Sequence, residues 1–318
     1  PDDDAEEISH YFDETNWGTG NMLNLAALTM GNKHPSSYQY PTDVTLVNTT
    51  LASVGQYGEY FPAVYVWANS GEGLGVTVSY ENCTFDGPVV YGNDGANISA
   101  TVESGPVVDS DGNYYLTLAD AVEAVIDSET KTGTVTLLED CSGGGIGLFN
   151  GKGATDVDLT IDFGGYTYTC EDPAVGSTGT ESQGFHLEKG NTVILKNGTI
   201  KVAEDSVNTK MLIQNYCNLT LEDLTLVGGD ITQYIVSCNY GDMVLENVNI
   251  NGSYGSSLVG IDLMHWLGTT YADKAPTMVI HNTDKNMISG SMDVYCYGTG
   301  AGTCTEQPTL TIYGGSFS

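Results

Sequence analysis

The chain has 318 residues, with 41 Asp and Glu against 9 lysines and no arginine, so its formal charge is −32. A polyanion cannot supply the counterion release that drives nucleic-acid binding, and the same sign opposes adhesion to anionic lipid. Any mechanism that needs a guanidinium to clamp a carboxylate or phosphate has no residue to use.

Charged residues make up 16% of the chain and hydrophobic ones 40%, which separates it from an acidic disordered tail. High glycine and tyrosine suit many short strands joined by tight turns. No stretch approaches the uninterrupted apolar run that a membrane span needs. The start, with Asp2, Asp3, Asp4, Glu6 and Glu7, reads as a solvated acidic end and lacks the basic-then-apolar pattern of a secretion signal.

The first β-prone units are Val44-Thr-Leu-Val-Asn48 and Val76-Thr-Val-Ser-Tyr-Glu-Asn82. A boundary is placed near residue 105, giving an N-terminal β-rich unit (1–105) and a second unit (106–318). Asp109 to Tyr115 reads as a turn. Leu118, Ala121, Val122 and Val125 then fall on one helical face, and Thr117 is the N-cap of a short helix over about 117–126. Such a helix is placed to cover the first open coil of a repeat array.

From there short alternating segments recur: Val135 to Asp140, Leu159 to Gly164, Val193 to Ile200, Leu219 to Leu226, Val244 to Ile250, Val279 to Asn282 and Leu310 to Phe317. Each is a strand, a polar Asn, Asp or Gly corner, and in the longer units a second strand. Val193, Leu219 and Val244 are 26 and 25 residues apart, and the next steps of 35 and 31 read as a rung plus an inserted loop. A period of this size means a solenoid or propeller. Blades and leucine-rich repeats do not match it, so the expected fold class is all-β, a right-handed parallel β-helix solenoid in which stacked coils bury a shared interior.

Tyr115 to Val125, Thr134 to Asp140, Leu159 to Thr167, Val193 to Thr199 and Ile312 to Ser318 together resemble the pectate-lyase-like right-handed β-helix modules of large Gram-positive surface proteins. Val76 to Pro88 resembles, more briefly, the adhesive domain of such proteins, which would make the N-terminal unit β-helical too. The resemblance implies an extracellular, cell-wall-attached setting and adhesion to a host protein or a carbohydrate, with no catalytic set; charge and hydropathy argue for no nucleic acid and no membrane insertion. The Gly-Gly-Ser-Phe-Ser ending reads as a rung cut before its continuation, so a larger surface protein and a truncated C-terminus are expected.

Enzymes of the same fold are the alternative: a polysaccharide lyase or glycoside hydrolase. Pectate lyases and pectin esterases of this fold typically use an arginine that this chain lacks, and Asn282-Thr-Asp284 is a three-letter echo of a polygalacturonase motif. Paired carboxylates from distant rungs stay open.

Seven cysteines in a chain of extracellular character point to disulfides. Cys296 with Cys304, across a Gly-rich loop, is the first candidate pair. Cys217 with Cys238 is a second, with buried free thiols as the competing reading. Scattered histidines and the lack of a Cys-x-x-Cys pair argue for no metal and no cofactor. Calcium (Ca2+) remains chemically admissible at this charge. Asp109, Asp111, Asn113 and Asp120 fall in an EF-hand-like count that fails at Tyr114, so an ordinary β-turn is the expectation there. Sequons at Asn48, Asn82, Asn97, Asn197, Asn218 and Asn251 are expected to arise from Asn at coil corners. Trp17 and Trp67 are ambiguous between packing and binding. For ligand binding the segment Gly260 to Lys274 is read as an inserted loop, with Asp262, His265, Trp266 and Tyr271 as a platform of aromatic and hydrogen-bonding groups.

Overall fold

The computed structural model describes residues 28–32, 42–52, 64–68, 75–81, 83–86, 89–92, 99–252, 257–267, 270–298, 304 and 306–318. The chain forms two compact units, Pro1–Gly105 and Pro106–Ser318. The acidic start, Trp17, Asn82 and Asn97 lie outside the described residues.

In the first unit the described strands form three parallel stacks. β1 (Leu28–Asn32) pairs β4 (Val64–Ala68), which pairs β7 (Val89–Gly92). β2 (Thr42–Val47) pairs β5 (Gly75–Glu81), which pairs β8 (Ser99–Ser104). β3 (Thr50–Ala52) pairs β6 (Thr84–Asp86). Strands one to three of one turn thus stack on four to six of the next, and Trp67 falls within β4.

The second unit opens with an antiparallel hairpin, β9 (Val107–Asp109) and β10 (Tyr114–Tyr115). Asp109 closes its turn. Its Oδ1 accepts from the amides of Asp111 and Asn113, and its Oδ2 accepts from Asn113 Nδ2 and the Tyr115 hydroxyl. Protein donors thus occupy both carboxylate oxygens, the geometry of a β-turn. The one α-helix among the described residues, α1 (Leu118–Asp127), follows, and Thr117 Oγ1 accepts from the Asp120 amide at 3.1 Å as its N-cap. Its buried face of Leu118, Ala121, Val122 and Val125 joins the solenoid core beside Val107, Val135 and Leu137. It therefore covers the first strands of the stack.

The array itself is a parallel β-solenoid of about six turns. The first two turns are β11 (Thr132–Leu137), β12 (Cys141–Gly143), β13 (Ile146–Leu148), then β14 (Asp158–Asp162), β15 (Thr167–Cys170), β16 (Gln183–Leu187). In the next two, one bent strand serves two sides: β17 (Thr192–Val202) with β18 (Met211–Asn215), and β19 (Asn218–Val227) with β20 (Tyr234–Cys238). Then come β21 (Asp242–Glu246), β22 (Asn249–Asn251), β23 (Val259–Trp266), and β24 (Thr277–His281), β25 (Met287–Ile288), β26 (Ser291–Tyr297). β27 (Thr309–Ile312) and β28 (Ser316–Phe317) stack on β24 and β25. A separate sheet runs β13-β16-β18-β20-β23-β26 and forms one side of every complete turn.

The corners have a physical signature. Asn197, Asp223 and Asn247 have φ of 59°, 51° and 56°, the left-handed region that Asn and Asp enter most easily among residues with a side chain. They follow the register-matched Lys196, Glu222 and Glu246. Asn247 Nδ2 donates to Asp223 Oδ1 at 3.1 Å, linking one corner to the next. Asn48, with φ of 49°, has the same conformation in the first unit. Sequons at Asn48 and Asn197 are therefore corner residues.

Two expectations about the strands need correction. Leu219 pairs with Met243 and Val279 with Val244, so Met243 and Leu245 face the core while Val244 is half-buried. Alignment on Val244 was late by one residue, and one residue exchanges the two faces of a strand. In addition, Gly260 to Trp266 belong to β23 and pair with both neighbouring turns, so the inserted segment begins only after Trp266.

Cys296 and Cys304 form a disulfide with a Cα separation of 6.3 Å. Cys217 and Cys238 do not: both are buried free thiols. The rung partner of Cys238 is Asn215, so near-period spacing missed alignment by two positions. Asn215 lies between the sulfurs, with its Oδ1 near Cys217 Sγ and its Nδ2 donating to Cys238 Sγ.

Candidate functional site

The sheet β13-β16-β18-β20-β23-β26 alternates like any sheet, and its inward side carries Phe185, Leu187, Ile213, Val236, Ile261 and Leu263, all buried. Its outward side carries a column of polar residues in register on five consecutive turns: His186, Gln214, Ser237, Asp262 and Asp293. His186, Ser237 and Asp262 are nonetheless buried, and the Phe149 and Tyr216 rings pack against His186. A polar ladder covered in this way is costly unless its members satisfy one another.

A chain of contacts does so for most of them, while Asp262 Oδ1 stays buried without a hydrogen-bond partner. Gln214 Oε1 lies 3.2 Å from His186 Nδ1, and its Nε2 donates to the Tyr216 hydroxyl at 2.7 Å. Ser237 Oγ donates to Asp262 Oδ2 at 2.7 Å, and Asn239 Nδ2 donates to Ser237 Oγ at 3.1 Å. Burial raises the pKa of Asp262 above the usual carboxylate range; hydrogen bonds from Ser237 and Tyr295 pull it back, and the neighbouring Asp293 charge pushes it further up. Burial lowers the His186 pKa, against the pull of Glu188 at 3.8 Å. The Tyr295 hydroxyl is held protonated by burial and by the Asp262 carboxylate.

Aromatic rings frame this ladder. Phe149 stacks on His186 with centroids 5.2 Å apart, and it reaches there because its neighbour is Gly147, where a Cβ would collide with the Phe149 ring. The segment after β23 returns across two turns. Tyr271 stacks on Tyr216 at 4.4 Å and lies 5.8 Å from Tyr240, while Asp273 pairs with Lys189 at 3.0 Å and accepts from the Tyr240 hydroxyl. Lys189 Nζ sits 4.2 Å from the Tyr240 ring centroid. Further along the same face, Trp266 and Tyr297 are register partners with ring centroids 5.6 Å apart, exposed to 37% and 52%. Tyr295 beside them is 38% exposed.

Three of the four expected binding residues therefore belong to this face. Asp262 lies in its floor, Trp266 on its open part, and Tyr271 in the segment that folds onto it. His265 is separated from them by strand parity. It points to the opposite side of β23, is buried, and its Nδ1 lies 2.8 Å from the Glu306 carbonyl. Sequence reasoning missed His186, Gln214, Tyr216, Ser237, Tyr295 and Tyr297. Only strand pairing across turns brings them together, and no local motif marks them. Asn282, of the Asn-Thr-Asp echo, is structural: its Oδ1 accepts from the Val248 amide and its Nδ2 donates to the Val248 carbonyl.

The class that fold and site define is a parallel β-solenoid with a ladder of polar groups and exposed aromatics on one side. No family model matches the chain, and no curated protein or solved structure matches it.

Proposed function

We propose that the protein is a non-enzymatic binding module of an extracellular surface protein, a β-solenoid of the pectate-lyase-like kind that displays one face to a carbohydrate. The observation that carries this reading is the exposed Trp266–Tyr297 pair, beside Tyr295, on the same outward face of the sheet as Asp262. Apolar sugar faces stack on such rings, while hydroxyls bond to carboxylates and tyrosine hydroxyls at the rim. A neutral glycan suits a chain of formal charge −32 better than an anionic protein or membrane does. Attachment to a Gram-positive cell wall and a host ligand are what the resemblance in sequence implies, and calcium is chemically admissible for a chain of this charge.

The test is a glycan array with the whole chain, followed by Trp266→Ala and Tyr297→Ala on any hit. Loss of an aromatic anchor of this kind costs about 2 kcal/mol, or about 30-fold in affinity. Retention of full affinity by both variants would refute the placement of the site, and failure to bind any glycan would favour a display stalk.

A second reading has its own observation. Asp262 and Asp293 are register partners on adjacent turns, and Asp262 has the raised pKa of a candidate general acid. Release of reducing ends or unsaturated sugars from a polysaccharide panel, abolished by Asp262→Asn, would replace the binding reading with a carbohydrate-active enzyme.

A further inference from the structure

On the far side of β23 from the aromatic face, His265, Cys296 and Cys304 bring a nitrogen of the imidazole ring, Nδ1 or Nε2, and two sulfurs within 4.8 Å of one another. The positions follow from the fold. His265 and Cys296 are register partners on β23 and β26, and Cys304 is returned to them by the chain beyond β26. His265 is 1% exposed, and its Nδ1 faces the Glu306 carbonyl at 2.8 Å. A carbonyl only accepts, so Nδ1 carries the proton there and the ring's lone pair is on Nε2. That nitrogen is buried with no hydrogen-bond partner.

A buried lone pair without a donor is unfavourable, whereas a metal-binding histidine typically has this arrangement: one nitrogen held by a backbone carbonyl, the other free for the ion. Two sulfurs and one imidazole form the donor set of a tetrahedral zinc site with one open position. We propose that, once the disulfide is reduced, His265, Cys296 and Cys304 bind one thiophilic divalent cation such as zinc, so that disulfide and metal are alternative occupants of the same place.

The chemistry balances with a named partner. Two equivalents of a thiol reductant transfer two electrons and two protons to the Cys296–Cys304 bond and leave as their own disulfide. Binding of the cation by both thiolates and neutral His265 then releases two protons. The Glu306 carbonyl, 3.0 Å from Cys304 Sγ and 3.6 Å from Cys296 Sγ, holds the ring and lies beside both sulfurs in the oxidised state.

The experiment is a titration of the whole chain with zinc or cobalt(II), oxidised and after phosphine reduction, beside a Cys296→Ser/Cys304→Ser variant reduced in the same way. That variant keeps the five other cysteines, so it measures their contribution. Expected are one additional tightly bound equivalent in the reduced wild type only, and with cobalt a thiolate charge-transfer band together with tetrahedral visible absorption. Loss of an outer partner to a metal ligand costs about 10- to 100-fold in affinity, so His265→Gln, a ligand loss, is expected to cost at least about 100-fold. Equal zinc uptake by reduced wild type and the double-serine variant would overturn the site. So would a cobalt spectrum without thiolate bands, which needs no variant to fold. Native affinity in a folded His265→Gln protein would overturn the role of His265.

Discussion

Tyr271→Ala tests whether the segment after β23 is held on the outer face by stacking. Its ring lies 4.4 Å from Tyr216 at 23° and 5.8 Å from Tyr240 at 55°. Each aromatic pair is worth roughly 0.5–1.5 kcal/mol beyond its buried area, so losing both weakens docking by about 1–3 kcal/mol. The remaining tethers, Asp273 to Lys189 and Tyr240, Thr270 to Lys189, and Lys274 to Asp242, are solvent-exposed and screened by salt, so they cannot compensate. At 1.4 kcal/mol per factor of ten, the open population rises about 5- to 150-fold. β23 and β24 at the two ends of the segment remain in the stacked sheets, so the global melting temperature should move little. Trypsin cleavage after Lys274 reads the opening, because cleavage tracks the open population when reclosing is fast. Tyr271→Phe keeps the ring and should be cleaved like wild type. Equal rates of the 274/275 nick in wild type and Tyr271→Ala, followed by mass spectrometry, would refute docking by stacking.

Other consequences are equally direct. Leu221→Ala in a central turn removes a fully buried side chain and should cost about 2–5 kcal/mol in urea unfolding; a loss below about 1 kcal/mol would contradict the packed interior. Asn247→Ala should cost about 1–2 kcal/mol because alanine enters the left-handed region poorly, while Asn247→Gly should cost less. For Asp262, the folded state holds the proton more tightly than the unfolded chain. Its contribution to stability is therefore present in acid and lost as pH rises from the usual carboxylate range through the raised value. Asp262→Asn should gain stability relative to wild type across that window and not below it, as pH-dependent urea midpoints would show. Burial pushes the Cys238 thiol up to about 12 and the Cys170 and Cys217 thiols higher still, so alkylation at pH 8 should spare all three until the protein is unfolded. Mass mapping that finds any of them labelled in native protein would contradict their placement.

The fold was legible in the sequence where local chemistry repeats. Thr117 and the apolar stripe of Leu118, Ala121, Val122 and Val125 define α1 without reference to anything distant. Asn197, Asp223 and Asn247 mark the corners because few other residues with side chains accept a positive φ. Register was less legible. Val244 and Met243 are both apolar, both suit a strand, and only stacking decides which one faces inward. The same limit explains the cysteines: Cys217 and Cys238 are separated by nearly one turn, yet nearly one turn is not alignment, and Asn215 occupies the matching position. Cys296 and Cys304 lie close in the chain, so their pairing needed no knowledge of the turn length.

β23 shows how one rung carries two chemistries. Asp262, Met264 and Trp266 face outward, while Ile261, Leu263 and His265 face the other way. Of the four residues chosen as a single platform on composition, the three on β23 therefore divide by parity, since adjacent side chains of a strand never share a face. The division has a functional consequence. The outward set joins His186, Gln214 and Ser237 in a ladder that runs across five turns, and its open end is aromatic. The buried, inward His265 meets two partly exposed cysteines, so a ligand on the aromatic face and the proposed cation at His265 would occupy opposite sides of the same strand. Substitutions at Trp266 and at His265 should consequently be separable, the first altering only glycan binding and the second only metal uptake, although the two residues are adjacent in the chain.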